Sequence, residues 1–261
     1  MVTDMMPHVS ETDAEGLRTF IRDYIVRSGA DGVIIGLSGG LDSAVVTKLA
    51  VDALGADRVH TMYLPSDMSP KADLRCTEEL SRTWGVGLEV INIQSALDAF
   101  RDLLGTDMTP MEMGNASARC RMSLLYARAR SMNRIVVGTS NRSEIMMGYF
   151  TKHGDGACDI LPLAGLYKTE VRELAELIGV PGDVISKPPS AGFWEGQTDE
   201  DEMGFPYAVL DRILVGMERG ETAGETSRET GVLEDRIEEI RGHVASVEHK
   251  RRPAARPGVP F

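Results

Sequence analysis

Residues 38–43, with the sequence SGGLDS, join a predicted buried strand at residues 33–37 to a helix that begins near Leu41. Gly39 and Gly40 let the backbone approach a ligand closely, and the free N–H groups at the start of the helix favour an anion. Ser38 and Ser43 add hydroxyl donors for phosphate oxygens. Two glycines at a strand-to-helix turn also fit simple turn chemistry. With the flanking strand and helix, however, the segment predicts a phosphate-binding loop in an α/β chain.

Short β-branched runs alternate with longer helical patterns over residues 11–138, which is typical of a parallel sheet with crossover helices. We expect an α/β fold with one doubly wound, Rossmann-like parallel sheet flanked by helices, in a single domain over residues 1–261. Residues 140–205 read as a long irregular stretch with one clear helix. The predicted strands are 33–37, 59–64, 88–93 and 135–138, and the predicted helices are 11–28, 44–54, 71–84, 116–132, 168–178, 207–218 and 233–247.

Composition excludes several classes of function. The chain has 28 Lys and Arg against 40 Asp and Glu, so its formal net charge of −12 argues against a nucleic-acid partner. The three cysteines are widely spaced, so they predict reduced thiols and not a zinc or dithiol centre. No leader and no membrane-length apolar run is visible, so we expect a cytoplasmic location and no membrane contact.

Asp42 within the predicted phosphate loop points to a metal ion. A carboxylate repels phosphate unless a cation such as Mg²⁺ lies between them. The loop lacks the lysine that follows the second glycine of a P-loop, and it has no G-x-G-x-x-G dinucleotide pattern. The residues therefore predict a Mg²⁺-dependent polyphosphate site of another kind.

The chain resembles the NAD synthetase family of the ATP pyrophosphatase group, which shares the adenine nucleotide alpha-hydrolase-like fold. Besides SGGLDS, the motifs that carry the resemblance are GNASARCRM at 114–122, GTSNRSEIMMGYFTKHGDGACDILPL at 138–163, LYKTEVRELA at 166–175, KPPSAGFWEGQTDEDEMG at 187–204 and HK at 249–250. The resemblance implies that ATP adenylates the nicotinate carboxylate of deamido-NAD⁺. Ammonia then displaces AMP, which gives NAD⁺, AMP and pyrophosphate.

The resemblance also implies roles for individual residues. The predicted catalytic residues are Asp42, Lys168 and Asp155, of which Asp42 and Lys168 match family positions. Asp155 is a candidate on the grounds of its charge and its place in the motif, as a carboxylate that binds ammonium and removes its proton. A simple turn aspartate between two glycines is the alternative. Asp42 and Glu144 match Mg²⁺ ligands. The matches to ATP-contact positions are Gly36, Leu37, Ser38, Gly39, Gly40, Leu41, Asp42, Ser43, Thr139, Lys168 and Ser190.

A second set of matches concerns deamido-NAD⁺. They are Arg119, Lys152, Asp159, His249 and Lys250. Arg121 lies two residues from Arg119 and would face another side of the same helix, so either arginine can fill that position. In the family the C-terminal His-Lys pair reaches a site shared between subunits, which implies a homodimer.

Two other functions stay open at this stage. One is a tRNA-modifying ATP pyrophosphatase, which the net charge of −12 and the scattered cysteines disfavour. The other is a nucleotide sensor without catalysis, which the retained metal-binding carboxylates disfavour. Because the loop begins by Ser38, no glutaminase module of about 250 residues fits before it, and we expect free ammonia to be the nitrogen donor.

Overall fold

The computed structural model describes residues 6–189, 199–254 and 257. Four strands form its sheet: β1 (Gly32–Gly36), β2 (Val59–Tyr63), β3 (Gly87–Val90) and β4 (Arg134–Val137). The helices of the first half are α1 (Glu11–Ser28), α2 (Leu41–Leu54), α3 (Lys71–Trp84), α4 (Gln94–Leu104) and α5 (Pro110–Ser131). Those of the second half are α6 (Arg142–Met147), α7 (Lys168–Leu177), α8 (Gly182–Ile185), α9 (Asp199–Met203), α10 (Tyr207–Glu218), α11 (Ala223–Thr230), α12 (Glu234–Ser246) and α13 (Glu248–Arg251).

The sheet is parallel throughout, in the order β3-β2-β1-β4. Strand β1 lies in the centre, where Ile35 pairs with Thr61 of β2 and Val137 of β4. The chain therefore builds the sheet outward in one direction to β3 and then crosses back to β4. Such a reversal opens a crevice at the carboxyl ends of the central strands, where α/β proteins bind ligands.

Alternate residues of β1 serve two cores on opposite faces of the sheet. Val33 and Ile35 pack with residues of α1, α2 and α7, whereas Ile34 packs with residues of α4 and α5. A third apolar cluster, built mainly from α10 and α12, includes Met146 of α6 and Tyr167 at the start of α7. These helices thus pack against the segments that follow the carboxyl edge of β4.

Most of the predicted elements are confirmed, and three helices (α1, α3 and α10) have the predicted bounds. The predicted doubly wound α/β fold is also confirmed. The prediction for residues 140–205 is wrong in one important respect, because α6 forms there with Asn141 as its N-cap. Helix α5 begins at Pro110, before the predicted start at residue 116, because Thr109 and Glu112 form a capping box. Helices α4, α8, α9, α11 and α13 are absent from the predicted set.

Within the described residues, no helix is both long and apolar enough to cross a membrane.

Candidate active site

A cavity of about 540 Å³ opens at the carboxyl edge of the sheet. Its walls come from the SGGLDS loop, the ends of β2 and β4, one side of α5 and the start of α7. Ten of the predicted ATP-contact and metal positions line it together: Gly36, Leu37, Ser38, Gly40, Leu41, Asp42, Ser43, Thr139, Glu144 and Lys168. Asp155, the predicted ammonium-binding residue, lines the same cavity.

The SGGLDS loop is held by its own serine side chains. Ser38 N–H donates to Ser43 Oγ (3.2 Å), and the Ser43 hydroxyl donates to Gly40 O (2.9 Å). Gly39 has φ +77°, and a Cβ there would lie 3.1 Å from Asp73 O, so a larger residue is disfavoured twice. Gly40 is the N-cap of α2 and has no side chain to cap the helix. The N-terminus of α2 therefore remains open toward the cavity for an anion.

Three charged side chains, Asp42, Lys168 and Glu144, meet beside this loop, and we refer to them as the charge cluster. Lys168 Nζ donates to Asp42 Oδ2 and lies 3.4 Å from Glu144 Oε1. The Lys168 side chain is 3% exposed, whereas those of Asp42 and Glu144 are 16% and 15% exposed. Both carboxylates therefore keep an opening to the cavity while the ammonium group lies buried between them.

Local helix capping places the members of the charge cluster. Asp42 is the second residue of α2, and Glu144 is the third residue of α6. The Asn141 side chain accepts from Glu144 N (3.0 Å) and donates through Nδ2 to Asp42 Oδ1 (2.9 Å). Asn141 thus caps α6 and at the same time binds the loop acid of α2.

Burial and neighbouring charge shift the pKa values within the cluster. Burial raises the pKa of Glu144, and the negative charge of Asp42 raises it further, while Lys168 opposes both effects. Burial alone would lower the pKa of Lys168, but Asp42 and Glu144 outweigh it and the pKa is raised. Lys168 is therefore protonated at neutral pH, and it is the only positive member of the cluster.

The charge cluster fits a divalent metal ion bound together with phosphate. Asp42 and Glu144 supply two hard carboxylate donors, the number with which proteins usually hold Mg²⁺ when phosphate and water complete its shell. Among the described residues, no three His, Cys, Asp or Glu side chains converge as a metal site by themselves. The two carboxylates of the charge cluster would therefore leave the other positions of a Mg²⁺ shell to phosphate oxygens and water.

Arg121 and Asp155 line the cavity on the α5 side. Arg121 Nε donates to Leu64 O (2.8 Å), and burial lowers the pKa of its guanidinium. Asp155 accepts from Thr151 N (2.7 Å); desolvation raises the pKa of its carboxyl, whereas this hydrogen bond and the charges of Lys250 and Arg121 oppose the rise. Of the two arginines that the sequence left open, Arg121 is the one in the cavity wall, whereas Arg119 is exposed outside it.

Four of the five predicted deamido-NAD⁺ residues lie beyond the cavity, around the loop after α6. Arg119 Nη2 donates to Lys152 O (3.3 Å), and Lys152 Nζ donates to His249 O (2.5 Å). Lys250 Nζ donates to Gly148 O and Phe150 O, at 2.5 and 2.7 Å. The C-terminal His-Lys pair, which lies in α13, thus packs against the loop that follows α6.

Asp159 stands apart from the other four. Its carboxylate accepts from Val136 N (2.8 Å) and from the Tyr126 hydroxyl (3.3 Å), so it fastens the segment beside β4 to the sheet. Ser190 lies outside the described residues. The roles of Ser190 in ATP binding and of the five residues in deamido-NAD⁺ binding stay predictions.

Sequence reasoning missed several residues of this site. Asn141 had a readable signal, because Asn141 followed by Glu144 is a capping-box pattern. Asp199 and Tyr207 had no such signal in the sequence. The Tyr207 hydroxyl donates to Asp199 Oδ2 (3.3 Å), and Lys168 Nζ lies 5.4 Å from the centre of the Tyr207 ring. These two side chains reach the cluster from α9 and α10 through packing alone.

The parallel sheet, the glycine-rich loop at the first crossover and the acidic cluster beside it define an α/β nucleotide-binding protein of the ATP pyrophosphatase type. The NAD synthase family model matches residues 14–254, and the chain belongs to that family. It is 44% identical over 239 residues to the NH(3)-dependent NAD(+) synthetase of Thermococcus kodakarensis, covering 91% of this chain and 93% of that one.

Two solved structures are similar over nearly their whole length. NMN synthetase from Francisella tularensis has a TM-score of 0.86 and 39% identity, covering 97% of this chain and 100% of that chain. The NH3-dependent NAD synthetase of Campylobacter jejuni, in complex with the nitrate ion, has a TM-score of 0.79 and 30% identity, covering 94% and 97%. Both confirm the α/β fold.

Proposed function

We propose that this protein is an ammonia-dependent NAD⁺ synthetase, a ligase that forms a C–N bond at the expense of ATP. Family membership and the relatives named NH(3)-dependent NAD(+) synthetase support the reaction. The observation that carries it in this chain is the charge cluster beside the SGGLDS loop, since it joins two metal-binding acids and one cation at a predicted pyrophosphate site.

In the first half of the reaction, a carboxylate oxygen of deamido-NAD⁺ bonds to the α-phosphorus of ATP and the bond to pyrophosphate breaks. The α2 N-terminus and the serines of the loop hold the departing pyrophosphate. Lys168, protonated and buried, stabilises negative charge on the phosphates. Mg²⁺ held by Asp42 and Glu144 would offset the charge of the polyphosphate.

In the second half, ammonia bonds to the acyl carbon, the bond from that carbon to the phosphate oxygen of AMP breaks, and the nitrogen loses a further proton to the departing phosphate or to water. The carboxylate of Asp155 opens into the same cavity, where it can bind ammonium and accept its proton. A raised carboxyl pKa suits this step, because the group then lies closer to the pH at which it must take up a proton. The deprotonated nitrogen is the nucleophile.

We further propose a cytoplasmic homodimer in which residues 1–261 act as one synthetase unit that uses free ammonia. Large apolar side chains at the end of α4 and the start of α5 support an interface between copies. Phe100, Leu103, Leu104 and Met111 are 43%, 85%, 60% and 55% exposed. An uncovered apolar patch of this kind is typical of a protein contact.

Amidation of nicotinate mononucleotide is a second candidate, favoured by the similarity to the NMN synthetase of Francisella tularensis. The loop and the charge cluster would serve both reactions, because both acceptors carry the same nicotinate carboxylate. They differ only in the adenylate half of the acceptor.

The test is to incubate the purified protein with ATP, Mg²⁺ and ammonium, and with deamido-NAD⁺ or nicotinate mononucleotide at matched concentrations. We expect AMP, pyrophosphate and NAD⁺, with a higher kcat/KM for the dinucleotide. A higher value for the mononucleotide would establish the second candidate, and release of ADP would exclude both. Replacing ammonium by glutamine should give no product.

A further inference from the structure

Helix α7, which begins with Lys168, lacks a capping side chain of its own. Its N-cap is Tyr167, whose side chain makes no cap hydrogen bond. Glu170, the third residue of the helix, accepts from Tyr167 N (2.8 Å). The N–H groups of Lys168 and Thr169 still need acceptors, because the first turn of a helix has no carbonyl partners for them.

Asp211 of α10 satisfies this helix end from outside. Its Oδ2 accepts from Thr169 N (2.9 Å), and its Oδ1 accepts from the Ser143 hydroxyl (2.5 Å). Ser143 Oγ in turn accepts from Lys168 N (2.9 Å). Asp211 and Ser143 are both 0% exposed. One buried carboxylate therefore joins α6, α7 and α10.

These contacts fall on the immediate neighbours of the charge cluster. Ser143 precedes Glu144 in α6, and Thr169 follows Lys168 in α7. The bonds to Lys168 N and Thr169 N fix the backbone from which the Lys168 side chain extends. A shift of α7 relative to α6 would change the distance from Lys168 Nζ to Glu144, which is now 3.4 Å.

Packing alone does not explain a carboxylate at this position. Leu210, Ile213 and Leu214 of the same helix are fully buried in an apolar cluster. Burial raises the pKa of Asp211, which shows that its surroundings disfavour the charged form. The cost of burying the charge is offset here by two directed hydrogen bonds and by the positive end of α7.

We propose that Asp211 is a positioning residue that holds Lys168 and Glu144 at their working separation by capping α7 and binding Ser143. Its role in catalysis rests on the proposed function, but its contacts do not depend on which acceptor is used. A misplacement of about 1 Å in an active site can cost about 100-fold in rate. The effect of losing Asp211 should therefore appear in kcat and in Mg²⁺-dependent nucleotide binding.

The test compares Asp211→Asn with Glu170→Gln. Both substitutions are isosteric, remove a buried charge and affect the same end of α7, but the side-chain hydrogen bond of Glu170 among the described residues is the one from Tyr167 N, with none to α6 or α10. In Asp211→Asn, the new side-chain amide has one acceptor oxygen in place of two. Either Thr169 N or the Ser143 hydroxyl therefore faces an NH₂ group and loses its acceptor. Two quantities are measured for each variant: kcat for amidation, and the affinity for a non-hydrolysable ATP analogue with and without Mg²⁺.

For Asp211→Asn we expect kcat to fall about 10- to 100-fold and the Mg²⁺-dependent gain in analogue affinity to fall several-fold, with the acceptor KM within about twofold of wild type. Glu170→Gln should keep both quantities within about twofold. If Asp211→Asn does not fold, Ser143→Ala replaces it, since it removes the bond to Lys168 N and leaves Thr169 N bound. The same pattern is expected at smaller amplitude.

Equal effects of the Asp211 and Glu170 variants, or normal kcat and binding in both, would overturn the positioning role. If the wild type amidates no acceptor but the analogue measurement still separates the two variants, the proposed reaction fails and the positioning role stands. If the wild type amidates deamido-NAD⁺ and the variants do not differ, the reaction stands and the positioning role fails.

Discussion

Substitution of Asp42 by Asn separates the chemistry of the charge cluster from its contribution to stability. In the wild type, Asp42 accepts from Asn141 Nδ2 through Oδ1 and from Lys168 Nζ through Oδ2. An asparagine of the same size has one acceptor oxygen, so one of the two donors loses its partner. Lys168 keeps Glu144 at 3.4 Å. The loss of one charge-assisted hydrogen bond predicts a fall of roughly 1.5–3 kcal/mol in the free energy of unfolding.

The effect on activity should be larger than the effect on stability. With both carboxylates ionised, as metal binding requires, the two acids and one ammonium have a net charge of −1, which becomes 0 in the variant. A neutral cluster no longer attracts a divalent cation, and one of its two acidic donors is gone. We expect kcat to fall at least about 10²–10³-fold, the range seen when one preorganised electrostatic contact is removed from an active site.

Asp52→Asn is the matched control. Asp52 lies in the same helix and also pairs with a lysine, Lys48, at 2.5 Å, but both side chains are more than a fifth exposed. An exposed pair contributes about 0–1 kcal/mol, so this variant should keep its stability and full activity. Pyrophosphate release gives kcat and urea unfolding gives stability. An Asp42→Asn enzyme with more than a tenth of wild-type kcat, or an equal loss in Asp52→Asn, would refute the assignment.

Three further predictions concern groups around the cavity. In Gly138→Ala the new Cβ would lie 2.6 Å from Cys158 Sγ, so we expect the free energy of unfolding, measured in urea, to fall by about 1–3 kcal/mol. Adding Cys158→Gly should restore that free energy, because it removes the clashing side chain. A double variant that stays as unstable as Gly138→Ala would contradict the steric cause. Burial raises the pKa of Cys158 to about 11, so the thiolate fraction grows with pH over the whole range from 7 to 10. The rate of its alkylation by iodoacetamide should therefore rise about tenfold per pH unit in that range, and a rate that levels off near pH 8.5 would contradict the raised pKa. In Gly148→Ala the new Cβ would lie 2.7 Å from Val247 Cβ and would displace Lys250, which donates to Gly148 O. We expect the KM for the acceptor to rise while the KM for ATP stays constant. Equal changes in both KM values would show that Lys250 lies outside the acceptor site.

The elements with strong local signals could be predicted from the sequence. The apolar periodicity of α1 and the β-branched run of β1 are each contained in one stretch of chain, and both were found. Helix α6 has only six residues, too few for a helical period to be visible, so only its capping box could have revealed it. The error matters for function because α6 carries Glu144.

The site itself depends on contacts between distant residues. Asp42 and Lys168 are 126 positions apart, and their meeting follows from the order of the strands around β1. The family resemblance placed them in one site, although no local pattern could do so. Asp211 lies 68 positions from Ser143, and it carries no motif. Its place at the end of α7 arises from the packing of α10 against α6 and α7, which no local sequence pattern encodes.

The net charge of −12 is compatible with polyphosphate substrates because the cavity differs from the rest of the surface. Four lysines and arginines match ligand positions in the sequence, namely Arg119, Lys152, Lys168 and Lys250, but only Lys168 of these lines the cavity. Among the described residues that line it, four are basic (Arg121, Lys168, Arg172 and Lys187) and five are acidic (Asp42, Asp73, Glu144, Asp155 and Asp199). Charges on the outer surface are screened beyond about 8 Å at physiological salt. A nucleotide in the cavity therefore meets a nearly balanced set of charges, and two of the acids, Asp42 and Glu144, suit Mg²⁺. The acidic outer surface has little effect on its binding.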